Sequence, residues 1–150
     1  MLKRTSIMLH HSLTEDGQTV SWGAIERYHR EVQGWRDIGY HGGVELAGNP
    51  ASLGRYAYQA MMGRAEDERA AACLEGDMND LALHLCFVGN YDQAPPSADI
   101  LRVAVKRFIL PWMKRWAISP EGIIAHHDFA DYKTCPGTKF DLDVVRRMVV

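Results

Sequence analysis

The chain has 150 residues, of which 47% are hydrophobic and 24% charged, an ordinary balance for one soluble globular domain spanning 1–150. At this length roughly 68–70% of the unfolded surface is buried on folding, so one core suffices without staples. The formal net charge of −2 and pI near 6.4 argue against a nucleic-acid binder, and no apolar run reaches the ~18 residues that span a membrane.

Ser6-Ile7-Met8-Leu9 is a short apolar run ending in His10-His11 and reads as a buried strand. Leu13 to Thr19 is polar and holds the turn signal Asp16-Gly17. Ser21 can cap a helix through Ile25, Tyr28 and Val32, which Gly34 stops. Val44 to Leu46 and Tyr56 to Met62 read as strands about an Asn49-Pro50 turn. The acid-rich stretch 65–80 reads as a solvated helix or loop. Leu81 to Val88 is a strand ending at Gly89-Asn90. Pro95-Pro96-Ser97 opens the best helix, striped by Ile100, Leu101, Ala104, Phe108 and Trp112, which Pro111 should kink or restart. Gly122 to Ala125 is a short strand ending in His126-His127, and a loop with Lys133 and Cys135-Pro136-Gly137 follows. Asp141 caps a last helix through Val144, Val145 and Met148. The fold class is α/β (mixed α+β): a central sheet of about five strands flanked by helices, with a histidine pair ending each of two strands where loops form a cleft.

The chemistry-bearing residues are His10 or His11, His126 or His127, and Cys135. Zinc takes imidazole nitrogen and thiolate sulfur, and a catalytic site leaves its fourth position to water. Spacing alone does not choose within either pair. It also leaves open that these are ordinary strand-end histidines beside a buried cysteine. Three cysteines without regular spacing do not form a disulfide framework, and Cys73 and Cys86 read as small core residues.

Ile7-Met8-Leu9-His10-His11-Ser12 resembles the first strand of the type 2 N-acetylmuramoyl-L-alanine amidases, a family that includes small phage amidases and peptidoglycan recognition proteins. Four further segments resemble it in order: 27–31 with 34–41, Gly63-Arg64, Asn79 with 81–89, and 125–128 with 133–137. The resemblance implies zinc held by His10, His126 and Cys135, with Asp128 orienting a ligand. It implies Tyr40 and Lys133 as catalytic residues and peptidoglycan, a muramyl peptide, as substrate. Zinc makes water nucleophilic near neutral pH, and Lys133 can meet the charge developing on the amide oxygen. Tyr40 can donate or shuttle a proton or orient the water. His29, His41 and His84 are assigned no chemistry; His29 sits half-buried on a helix, His41 beside the cleft, and His84 where relatives carry a small residue.

The chain departs from the family at Ala70-Ala71-Ala72-Cys73, where many relatives have a histidine, and at Gly42-Gly43, where bulky residues are usual. The overall expectation is a monomeric phage or prophage endolysin without membrane insertion or nucleic-acid binding. Met1 to Ser6 is too short before the histidines for a signal peptide, so the chain would be made in the cytoplasm and act on the wall after release. The alternatives are a recognition module that binds peptidoglycan without cutting it and an interaction protein, since some phage relatives also inhibit an RNA polymerase. A structural zinc site closed by His11 or His127 is the remaining one. The basic residues Arg102, Lys106, Arg107, Lys114, Arg115, Arg146 and Arg147 read as a solvated face, with attraction to an anionic envelope as the alternative.

Overall fold

A computed structural model describes residues 2–14, 21–47 and 57–150. The expected turns at Asp16-Gly17 and Asn49-Pro50 lie outside these ranges, as does Tyr56. Among the described residues the sheet has five strands: β1 (Ser6–His11), β2 (Gly42–Leu46), β3 (Tyr58–Met62), β4 (Ala82–Phe87) and β5 (Ile123–Ala125). Their spatial order is β3-β2-β4-β1-β5, with β3 antiparallel to β2 and the remaining pairs parallel.

Register sorts the side chains onto two faces. Ile7 and Leu9 of β1 align with Leu83 and Leu85 of β4 and with Ile123 and Ala125 of β5. These pack with Ile100, Ala104, Phe108, Ile109 and Trp112 into the main core. Met8 and His10 align with His84 and Cys86 on the opposite face. That second face carries two smaller clusters, one around Met8, Cys73, Met78 and Ala82 and one around Trp22, Ile38, Cys86 and Val88. Parallel strands covered on both faces read as mainly apolar runs, as Ile7-Met8-Leu9 of β1 does and as β4 does apart from His84.

Helix α1 (Trp22–Arg27) starts at Ser21, whose hydroxyl accepts the Ala24 N–H, and continues as a π-helical stretch, Tyr28–Val32. A buried Glu45 carboxylate on β2 accepts the Trp22 N–H at 2.8 Å and ties α1 to the sheet. The departure at Gly42-Gly43 has a packing cause. A β-carbon on Gly42 would lie 2.5 Å from the Phe108 ring, and one on Gly43 would lie 2.2 Å from the Trp22 ring. The two glycines let a large aromatic lie against each face of β2.

The stretch 65–80 corrects the expectation of a solvated segment. It ends in a 3-10 turn (Glu75–Asp77) and the short helix α2 (Met78–Leu81), and it buries Ala70, Cys73, Met78 and Asn79. The Asn79 side-chain oxygen accepts the N–H groups of Ala72 and Cys73, both at 2.8 Å. Acidic residues on one side of this stretch masked a buried, internally bonded wall.

Helix α3 (Ala98–Ala104) is capped by Ser97 and runs through a π-helical stretch, Val105–Ile109, into α4 (Leu110–Trp116). Pro111 lacks an N–H to bond back into the previous turn, and the wide π-helical stretch precedes it where the expected kink or restart would fall. Helix α5 (Leu142–Met148) begins at Asp141, whose carboxylate accepts the Asp143 N–H. Among the described residues no helix is long and apolar enough to cross a membrane.

Candidate metal centre

The site forms beyond the carboxyl ends of β1 and β5. Strand alternation sends the two histidines of β1 to opposite faces. His10 points to the second face, 1% exposed, and His11 turns away, where its Nδ1 accepts the Tyr91 N–H at 3.1 Å. His126 opens a 3-10 turn (His126–Asp128) after β5, and its ring centroid lies 4.6 Å from that of His10. His127 is exposed, 3.4 Å from the Asp128 carboxylate.

Cys135 comes from the following loop. The His127 N–H donates to the Cys135 carbonyl at 2.9 Å, and the His11 N–H donates to its sulfur at 3.3 Å. Asp92 clamps the loop by accepting the Thr134 hydroxyl and the Thr138 N–H. Those bonds, the Thr138 N–H foremost, hold its carboxyl below the usual carboxylate range. Sequence reasoning gave Asp92 no role, and no local signal marked it.

One donor atom from each of His10, His126 and Cys135 lies within 4.8 Å of the others, and all three residues are buried. His10 Nδ1 is 3.6 Å from Cys135 Sγ. A tetrahedral zinc with ordinary Zn–N and Zn–S bonds sets its nitrogen and sulfur about 3.6 Å apart. The trio therefore fits zinc in donor type and in this spacing. Burial lowers the His10 pKa well below 6.5 and that of His126 to about 4, so both imidazoles are neutral near pH 7 with lone pairs to give. Burial pushes the Cys135 thiol up to about 12, against the pull of the His11 backbone hydrogen bond and the Lys133 charge, so a cation is needed to hold it as thiolate.

The Asp128 carboxylate takes a different place from the one expected. It accepts the Ala125 N–H at 3.0 Å and faces His127, which shapes the turn. The ring nitrogen of His10 that faces away from Cys135 meets His84 at 2.8 Å, so His84 belongs to the site although sequence reasoning gave it no function. His41 is fully buried behind the site instead of lining the cleft, and its Nδ1 accepts the His84 N–H at 3.0 Å.

Tyr40 and Lys133 both line the cavity of about 500 Å³ above the trio, together with Trp35 and Tyr132. The Tyr40 ring centroid lies 5.2 Å from that of His10. Burial holds the Tyr40 hydroxyl well above 10, so it remains a proton donor. Gly63 and Arg64 fix the segment that carries it: their N–H groups donate to the His41 and Tyr40 carbonyls, and a β-carbon on Gly63 would lie 2.1 Å from the Tyr40 oxygen. Lys133 is exposed on the rim, and its charge depresses the pKa values of His10, His126 and Cys135 alike.

An adjoining cavity of about 530 Å³ shares Trp35, His126, Tyr132 and Lys133 and is walled by Ala70 to Glu75. Cys73, Glu75 and His126 form a second trio of close donor atoms there. Its thiol already donates to the Glu75 carboxylate at 3.4 Å, and Tyr132 donates to the same carboxylate at 2.7 Å.

A mixed sheet with a buried pair of imidazoles and a thiol at the carboxyl ends of its strands defines a class: an α/β protein with three close donor atoms of metal-ligand type beside a cleft. The sequence comparison makes this specific. The chain belongs to the N-acetylmuramoyl-L-alanine amidase family, whose pattern matches residues 2–138. It is 30% identical to an endolysin of Enterobacteria phage T3 over 139 residues, covering 91% of this chain and 82% of the relative. An endolysin of Escherichia phage T7 is 29% identical over the same shares. Among solved structures, the N-acetylmuramoyl-L-alanine amidase LysC from Clostridium intestinale has the same fold (TM-score 0.73, 20% identity, 99% of this chain and 86% of that one). Peptidoglycan recognition protein-LE in complex with tracheal cytotoxin also shares it (TM-score 0.69, 22% identity, 96% and 80%).

Proposed function

We propose that the chain, one amidase domain over 1–150 acting as a monomer, is an endolysin that hydrolyses the amide between N-acetylmuramic acid and L-alanine in peptidoglycan. Zinc would be held by His10, His126 and Cys135. The observation that carries this reading is the convergence of those three buried side chains within 4.8 Å on the floor of a cleft, in a chain of this family. When bound, zinc in such a donor set polarises the amide carbonyl and makes water nucleophilic near neutral pH.

The protein's own groups supply the rest. Lys133 stands on the rim, where its ammonium would meet the charge that develops on the carbonyl oxygen. Tyr40 holds a proton at its hydroxyl at neutral pH and serves as a donor. His10 and His126 stay neutral through burial, which keeps their lone pairs on the metal position.

The test is mass analysis of digested peptidoglycan. Stem peptides with a free N-terminal L-alanine should appear, alongside glycan strands that remain uncut. A chelator should stop the release and added zinc should restore it; undiminished release from the metal-free protein would reject the zinc mechanism. Binding to peptidoglycan without any release would make the chain a recognition module instead.

Lys133 gives a second measurement. Lys133→Ala should keep zinc affinity and fold while turnover falls by roughly 10²–10³, the usual cost of removing one positioned donor to a developing oxyanion. Wild-type turnover in this variant would strip Lys133 of its role.

A further inference from the structure

His10 has two ring nitrogens, and only one can face the metal position. Nδ1 lies 3.6 Å from Cys135 Sγ, while Nε2 lies 2.8 Å from Nδ1 of His84. The other nitrogen of His84, Nε2, lies 2.8 Å from the Met78 carbonyl oxygen. A carbonyl only accepts, so the proton of neutral His84 sits on Nε2. Its Nδ1 is then an acceptor, and His10 must supply the hydrogen from Nε2. That leaves the lone pair of His10 on Nδ1, directed at Cys135.

We propose that His84 is a positioning residue that locks His10 into the Nε2–H tautomer and so presents its Nδ1 to the metal. The proposal rests on the metal reading above and deepens it. Ligating histidines commonly give their second N–H to a carboxylate, a carbonyl or water. Here a second histidine takes that N–H, itself anchored on the carbonyl of Met78 in α2. Burial serves this use. His84 is 0% exposed and His10 is 1%, so solvent does not compete for either nitrogen. The His84 backbone is held in turn, because its N–H donates to His41 Nδ1, whose Nε2 bonds the Glu68 carbonyl at 2.9 Å.

Long-range ¹H–¹⁵N spectra of the histidine rings test this on the wild-type chain, metal-free and zinc-loaded. His84 and His10 should both carry their proton on Nε2, and zinc should perturb Nδ1 of His10. A proton on Nδ1 of either ring overturns the proposal. Zinc affinity, measured by competition with a chromophoric chelator, supplies the second readout. His84→Leu removes the acceptor and should weaken zinc binding by roughly 10–100-fold. His84→Asn, whose amide oxygen can stand where Nδ1 stood, should recover part of that loss. Affinity within twofold of wild type in a folded His84→Leu chain would also overturn it. If that variant does not fold, the wild-type spectra decide. A wild-type chain that binds no zinc removes the metal reading itself, and the tautomers are still read from the metal-free spectrum.

Discussion

Cys135→Ser is expected to leave a folded chain that no longer retains zinc and releases almost no peptide from peptidoglycan. The sulfur is the one anionic donor in the trio, and its removal leaves two neutral imidazoles to hold a divalent cation. Lewis-acid assistance contributes several kcal/mol to such a hydrolysis. At about 1.4 kcal/mol per tenfold, the loss in rate is on the order of 10³-fold or more.

Serine is the better probe than alanine because Cys135 also accepts the His11 N–H at 3.3 Å. A hydroxyl can keep that bond, whereas Cys135→Ala leaves a buried N–H unpaired at a cost of about 1–3 kcal/mol. Both variants should lose zinc, and the alanine variant should also unfold at lower temperature. Metal content after dialysis and peptide release on purified walls are the two measurements. A serine variant that kept either near the wild-type level would reject Cys135 as a ligand.

Some of this site was legible in the sequence and some was not, for physical reasons. The strands, the long helix and two capping residues follow from periodicity and side-chain chemistry: Ser21 and Asp141 cap as expected, and the helix expected to open at Pro95-Pro96-Ser97 is capped by Ser97. Which histidine of each pair turns inward is different. In β1 both faces are covered, so Ile7, Met8 and Leu9 are all apolar and the alternation that would mark one face is absent. The choice of His10 came from resemblance, and strand alternation puts it on the face of Met8, aligned with Cys86. His84 was invisible for the same reason. A lone polar residue in a strand buried on both sides carries no sign of its partner, which lies 74 positions away.

The acid-rich stretch 65–80 shows the opposite failure. Charge density suggested solvent, yet the backbone of this stretch is the cleft wall. Its side chains at Glu66, Glu68 and Asp80 pair outward with Arg115, Arg36 and Arg69, while the carbonyls of the same residues point inward. Inward carbonyls need donors, and no pattern of side chains announces where those will come from.

They come largely from Arg4, and its loss should destabilise the chain strongly. The guanidinium is 2% exposed and fans across backbone carbonyls: Nε to Glu66 at 2.9 Å, and Nη1 to Asp80 at 2.7 Å and Ala82 at 3.1 Å. Nη2 donates to Glu68. Burial lowers the Arg4 pKa, while Asp80, Asp67 and Glu66 oppose the shift, and an arginine remains charged at neutral pH. Arg4→Met keeps most of the volume and removes every donor. The part-buried Glu66 and Asp80 carbonyls lose their side-chain donor at about 1–3 kcal/mol each, while Glu68 keeps His41 Nε2, so a total of about 3–5 kcal/mol is expected. For a chain of this size that lowers the melting temperature by roughly 6–20 °C. Arg4→Lys should recover little, because one ammonium cannot reach a fan shaped for a planar fork. The damage should also be directional. The segment that Arg4 holds leads into Ala70 to Glu75, so hydrogen exchange at Ala72 and Cys73 should quicken before that of the β4 amides. Melting within 2 °C of wild type for Arg4→Met would show that water replaces the guanidinium and that the cleft wall stands without it.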